Sequence, residues 1–448
     1  MDKQSLTPLN PSLLKAPPGP SAPLSPDAFK DPLQFLLSLN RDYGDVAQFP
    51  SAYGPVYLVN HPDFIRDIFH DGAYVRVSLL KMALGEGVLT SEGAYWRSQR
   101  RQMQPAFHRE CIASLDTLIT DATHEMAQEW RPFVDSGQPV DINNEMTRLT
   151  LRIIGKALFS VDFVAIAGVI SNAITTCLEC VEELWIFAST QNVSSSFNLR
   201  FREAMRTLDE IVLDLIKQRR RNKESSNDLL DLLLAAETEN GQPLSDRQVR
   251  DEIVTMLLAG HETTANMLAW TWFLLSEHPV VERELCRELS AAIGKRTAKS
   301  QDLVNLPYAK MIIQESMRLY PPVWILFRKA LVDHRVGDYL IPANTMVALS
   351  AYAMHRHPCY WDKPDQFDPE RFSPDRASDL PHYAYFPFGG GPHLCMGNHF
   401  ATMEGILVLA TVAQHYRFRR ISGHPVEPKP FITLRLRHGL RMTLESSG

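Results

Sequence analysis

Phe388-Gly389-Gly390-Gly391-Pro392-His393-Leu394-Cys395-Met396-Gly397 sets one cysteine behind a glycine loop and ahead of a run expected to form an amphipathic helix over about 397–415. Glycines let backbone N–H groups approach a sulfur, and a following helix N-terminus adds partial positive charge; both favour thiolate over thiol. A stabilised thiolate can ligate iron, and hydrogen bonds to the sulfur tune the electron density it donates. Cys395 alone reads equally as a buried cysteine after a turn. A phosphate-binding loop would continue with Gly-Lys-Ser/Thr, which this stretch lacks.

Working back along the chain, the next informative segment is a long helix. Ser245 and Gln248 form a capping-box pattern, and apolar positions recur to Leu275 before Pro279 stops the run. At 1.5 Å per residue this is roughly 50 Å, enough to cross a large domain as its structural axis. Within it lies Ala259-Gly260-His261-Glu262-Thr263-Thr264, flanked by Met256-Leu257-Leu258 and Met267-Leu268. Glycine and β-branched threonines lower helix propensity, so a purely structural helix would gain by omitting them. A threonine hydroxyl bonded to the carbonyl one turn back can open the helix locally, and a nearby carboxylate can supply protons. Further on, Glu315 and Arg318 stand three apart on an otherwise apolar helix that Pro321 and Pro322 terminate.

Around these segments the pattern is mainly α with small β-sheets, an α+β class. Residues 1–27 are proline-rich and read as an extended surface arm, leaving 28–448 as a single catalytic domain. Val46 to Phe49 and Val56 to Val59 read as a hairpin. Residues 110–237 are mostly helical, helices follow near 280–294 and 307–319, and β-prone runs lie near 329–341, 345–351 and 431–444.

Taken together, the spacing of Phe388, Gly391, His393, Cys395 and Gly397 resembles the haem-binding signature of the cytochrome P450 family. The run Ala259 to Thr264 resembles that family's distal-helix motif. The resemblance implies the cytochrome P450 fold, a triangular helical body with a long central helix over haem b (iron protoporphyrin IX). It implies Cys395 as the iron ligand, Phe388 and Gly389 beside the haem, and His393 at a propionate contact where the family more often has Arg. Trp96 and Arg100 of a Trp-x-x-x-Arg element, and Arg328, would reach the propionates. Arg97 and Arg101 would face solvent or a redox partner. Ala259 and Gly260 would give dioxygen room, with Thr263 as relay alcohol and Glu262 as acid. Glu315 and Arg318 would be joined by Arg371 in a buried structural ion pair. By the same analogy the substrate pocket would draw on Leu257, Val323, Trp324, Leu326 and Phe431, and on the segments Val75 to Leu89 and Thr175 to Asn198.

The implied activity is a soluble, bacterial-type haem-thiolate monooxygenase, with dioxygen as co-substrate, acting on a lipophilic small molecule: a fatty acid, terpenoid, steroid or polyketide-like compound. No dinucleotide loop or flavin domain is visible, so electrons from NAD(P)H are expected through a separate ferredoxin or flavodoxin and its reductase. The alternatives are a peroxygenase or a non-oxygenating haem-thiolate enzyme, against which the acid and alcohol pair argues, and a haem sensor without catalysis, which would carry an output domain. A net charge of -6 gives no reason to expect nucleic acid. The basic run Arg219-Arg220-Arg221 is expected as a solvated helix end. Six dispersed cysteines predict a reducing compartment without disulfides, and Cys177-x-x-Cys180 is expected as packing. No secretory signal or membrane-spanning run is expected, which gives a cytoplasmic monomer.

Overall fold

The computed structural model describes residues 14–20, 30–51, 54–187, 195–222, 226–238 and 240–447. The capping box at Ser245 forms in both directions: its hydroxyl accepts from the Gln248 N–H, and the Gln248 side chain accepts from the Ser245 N–H at 3.0 Å. The helix it starts runs Asp246–Glu277, 32 residues, and ends where Pro279 follows His278. Buried residues surround almost its whole circumference, the mark of a core helix.

The chain divides into two compact units, each assembled from separated stretches. The first takes Met1–Val77, Trp324–Asp365 and Leu380–Leu394. Its five-stranded sheet runs in the order Val46–Ser51, Gly54–Val59, Met346–Leu349, Leu326–Ala330, Tyr74–Arg76. The expected hairpin is longer than its apolar runs suggested: pairing continues through Pro50 and Pro55 to Ser51 opposite Gly54. Prolines fit there because Val46–Ser51 is an edge strand and Pro55 lies near the start of its partner. The β-prone run near 329–341 is split, because Gly337 at φ 59° turns the chain between His334–Val336 and Tyr339–Ile341. Ile65, Ile68, Phe69, Val347, Leu349 and Phe386 belong to this unit's core. Of the proline-rich arm, residues 14–20 are described; they lie along the sheets, with the Leu340 N–H donating to the Lys15 carbonyl at 3.0 Å and that of Gln48 to Pro18 at 2.8 Å.

The second unit, Ser78–Val323, Gln366–Asp379 and Cys395–Gly448, is helical. The long helix packs most extensively on helix Ile142–Phe159, and helices Pro307–Leu319 and Asn398–Ala413 also pack against it. Helix predominates over four small sheets, as expected for a mainly α chain of α+β type. Three expectations change. Asn398–Ala413 is not amphipathic: from Met403 to Ala413 every residue is buried. Arg219 is not a solvated helix end, because its guanidinium is buried between Asp228 and Asp231, 2.7 Å from each, and donates to the Phe159 carbonyl. Strand Tyr416–Arg420, where Tyr416 and Phe418 alternate with arginines, follows the helix after a two-residue turn and was hidden by it.

All six cysteines are free thiols. Cys177 and Cys180 are buried on helix Ala167–Phe187, as packing residues would be. Residues 164–183 are long and apolar enough to cross a membrane by composition, and 44% of the qualifying window is buried inside the protein.

Candidate active site

Between Val249 and Leu275 the long helix is buried except at Ala259, Gly260, Thr263 and Phe273. Three of those four exceptions form one helical turn, since Ala259 and Thr263 are four residues apart. A reachable turn in the middle of a buried helix is a place where a ligand can stand. Here the Thr263 hydroxyl donates to the Ala259 carbonyl at 2.7 Å. The hydroxyl oxygen keeps its lone pairs free to accept from a neighbour.

Gly260 also meets a packing need. A Cβ at Gly260 would lie 2.6 Å from Ile154 Cδ1, so the missing side chain lets helix Ile142–Phe159 approach. Leu257, expected in the pocket, is 1% exposed and buried in the core. His261 is buried too; its Nδ1 bonds to the Leu257 carbonyl, and burial lowers its pKa.

Glu262 points to another face. Its Oε1 accepts from Arg435 Nε at 2.9 Å and from the Thr433 hydroxyl, and Arg435 Nη2 lies 2.8 Å from the same oxygen as an ion pair. Neither Thr433 nor Arg435 was anticipated as a partner of Glu262, because nothing in their local sequence marks a partner about 170 residues away.

In the same unit, the Cys395 sulfur is exposed although protein surrounds it on most sides. Burial raises its pKa, while the Gly397 N–H bonded to the sulfur and the nearby Arg100 guanidinium pull it down. A thiol balanced this way gives up its proton when a metal cation takes the proton's place. Among the described residues no three His, Cys, Asp or Glu side chains gather as a metal site. Cys395 would give one ligand to an ion that brings its others, as the iron of a porphyrin does. Arg100 lies with its guanidinium carbon 5.7 Å from the ring centroid of buried Trp96, whereas Arg97 and Arg101 are exposed. These donors fit a haem with acidic side arms.

The ion network is built as a triad. Arg318 grips Glu315 with two bonds of 2.7 and 2.8 Å, both side chains being 0% exposed. Arg371 adds a bond of 3.3 Å, and the Asp368 N–H one of 3.0 Å.

In the first unit, Phe388 and Gly389 are half-buried, and His393 closes a short turn over Gly391–His393. The loop's glycines answer to packing: a Cβ would fall 2.2 Å from the Phe69 carbonyl oxygen at Gly391 and 2.4 Å from the Tyr383 ring at Gly390. Arg328 is buried on strand Leu326–Ala330, its guanidinium carbon 5.2 Å from the Phe69 ring centroid. Trp324 is buried and Leu326 half-buried. In the second unit, Val323 is half-buried and Phe431 buried, with Lys429 and Arg435 over its ring. Part of the expected pocket segment 175–198, residues 188–194, lies outside the described residues.

The Cytochrome P450 family model matches residues 24–439. Cyclooctat-9-en-7-ol 5-monooxygenase of Streptomyces melanosporofaciens is 35% identical over 88% of this chain and 87% of its own. Cyclooctatin synthase of the same organism is 33% identical over 90% and 89%. Pentalenene oxygenase of Streptomyces avermitilis is 31% identical over 93% and 94%. With the family model covering most of its length and relatives above 30% identity across it, this chain belongs to the cytochrome P450 family of monooxygenases.

Proposed function

We propose that this enzyme oxygenates a lipophilic carbocycle of terpenoid type, receiving electrons one at a time from a separate ferredoxin or flavodoxin and its NAD(P)H-dependent reductase. Haem and dioxygen follow from the family; when bound, haem supplies the redox chemistry that activates dioxygen. Cys395 would be its proximal ligand, with Trp96, Arg100, Arg328 and His393 as partners of the propionates and Phe388 and Gly389 packed beside the ring. Thr263 would pass protons and Glu262 would provide them. We assign these roles to one catalytic domain over 28–448, behind the arm 1–27, working as a monomer in the cytoplasm.

The reading rests on one observation: the only reachable turn in the central part of the long helix carries Ala259, Gly260 and Thr263. An alcohol at such a turn can hold and move a proton beside a bound ligand while the rest of the helix excludes water. The substrate class is drawn from the relatives. The names cyclooctat-9-en-7-ol 5-monooxygenase and pentalenene oxygenase both denote oxygenation of an alkene-bearing skeleton.

The test is spectral and then preparative. Thiolate ligation red-shifts the Soret band of the reduced carbon monoxide complex, and Cys395→Ala abolishes that band; its persistence overturns the ligand assignment. Cyclic terpene alkenes and alcohols that displace distal water shift the ferric spectrum, and a ferredoxin with its reductase then supports product formation. Turnover with NAD(P)H and the purified protein alone overturns the partner assignment.

A further inference from the structure

Glu262 is not a loose acid. Two hydrogen bonds converge on Oε1, one from Arg435 Nε and one from Thr433, and Arg435 Nη2 stands at ion-pair distance from the same oxygen, 2.8 Å, while Oε2 receives none of these contacts. Thr433 is itself oriented, because its hydroxyl accepts from Asn266 Nδ2 at 3.2 Å as it donates to Glu262. One turn further, Trp270 Nε1 donates to the Leu434 carbonyl at 3.1 Å, and the Leu434 N–H donates to the Pro322 carbonyl at 2.9 Å.

Glu262, Asn266 and Trp270 are spaced by four residues, so they form one stripe along the long helix. Onto that stripe dock the consecutive residues Thr433, Leu434 and Arg435 at the start of strand Leu434–Leu436. The stripe lies about 100° around the helix from the one carrying Ala259 and Thr263. The Glu262 side chain is 9% exposed and that of Arg435 17%. A carboxylate so far removed from water needs its countercharge, and an arginine engaging it through two nitrogens fixes orientation as well as charge.

We propose that Arg435, supported by Thr433, is a positioning residue for Glu262: by occupying Oε1 it leaves Oε2 as the oxygen that takes up and releases the transferred proton. This rests on the reading of Glu262 as the proton source. Asn266 and Trp270 fix the docking segment, so the geometry of the acid depends on the C-terminal part of the chain as well as on the helix that bears it.

The experiment drives the haem-loaded enzyme with a plant ferredoxin, its reductase and NADPH under oxygen, without added organic substrate, and measures the ratio of water to hydrogen peroxide formed. R435Q is expected to lower that ratio roughly threefold or more, a fraction of what a positioned acid contributes. R435K should restore most of it, and R435Q should add nothing in an E262Q background. The activity-independent readout is a denaturant double-mutant cycle on R435Q and E262Q, in which the double variant loses no more stability than the worse single one. If E262Q lowers the ratio while R435Q matches the parent enzyme, the positioning role is overturned and the acid stands. If neither variant moves the ratio but the cycle shows coupling, the acid reading fails and Arg435 is only a tether. Should R435Q not fold, T433V removes one of the two hydrogen bonds to Oε1 and is expected to move the ratio in the same direction by a smaller factor; no change in T433V, together with an additive denaturant cycle on T433V and E262Q, overturns the proposal.

Discussion

The Thr263 hydroxyl donates to the Ala259 carbonyl at 2.7 Å, on the one turn of the buried stretch where both residues are reachable. A threonine bonded back to its own helix contributes little to folding, so its value here lies in the oxygen it presents. Thr263→Ala is therefore expected to keep the haem and the carbon monoxide spectrum while diverting electrons to hydrogen peroxide. Thr263→Ser, which retains the hydroxyl, should stay near the parent enzyme. The ratio of product to NADPH consumed, measured with a ferredoxin and its reductase, decides this; an unchanged ratio in Thr263→Ala removes the relay.

Arg318 and Glu315 meet fully buried through two bonds, and Glu315 also accepts from Arg371 and the Asp368 N–H. Removing one partner strands a charge in the interior, so Arg318→Met is expected to cost about 3 to 5 kcal/mol in denaturant unfolding. Arg371→Met should cost less, because it has one longer bond to Glu315 and leaves the 2.7 and 2.8 Å pair in place. Equal losses would show that the three charges act as one unit rather than as a pair with an auxiliary.

Gly391 combines a left-handed φ of 64° with backbone contact, its would-be Cβ lying 2.2 Å from the Phe69 carbonyl oxygen. Gly423 has φ 79° and open space around it. Alanine at Gly423 should cost about 1 kcal/mol for its backbone conformation alone. Alanine at Gly391 must also displace a main-chain carbonyl, so it should lower haem content of the purified protein as well as stability. Equal behaviour of the two variants would mean that the loop yields without consequence.

Features written in contiguous residues were legible from the sequence. The Ser245 capping box, the stop at Pro279 and the Glu315–Arg318 spacing each depend on neighbours within a few positions, and each is found where its pattern lay. What escaped depends on facing, on distance, or on both. A step of one residue rotates a helical side chain by about 100°, so Leu257 could share a motif with Ala259 and still face the core. The packing of Gly260 against Ile154 was hidden because Ile154 belongs to another helix. Arg219 looked solvated because its carboxylate partners follow only after the chain has turned back, and Arg435 was invisible as a partner of Glu262 for the same reason at far greater separation. The glycines of the cysteine loop were read as access to sulfur, yet Gly390 and Gly391 are demanded by Tyr383 and Phe69.

Glu252, also on the long helix, gives a pH dependence with a defined sign. Burial pushes its carboxyl up to about 8, against the Val88 N–H, which donates to Oε2 at 3.0 Å and favours the ionised form. Unfolded, the group loses its proton near the ordinary 4.5, so between there and about 8 the folded state binds more protons than the unfolded one. Stability must then fall as pH rises through that window and level off above it, by at most about 5 kcal/mol at about 1.4 kcal/mol per pH unit. Glu404 adds to the same slope: it is buried, neither oxygen has a hydrogen-bond partner among the described residues, and burial raises its carboxyl well above the ordinary range. Glu252→Gln keeps a carbonyl oxygen for Val88 and has no proton to lose. It should therefore match the parent protein near pH 5 and exceed it near pH 8 in urea midpoint. A parent and variant that lose stability in parallel from pH 5 to pH 8 would show that Glu252 is ionised throughout, with the Val88 bond outweighing its burial.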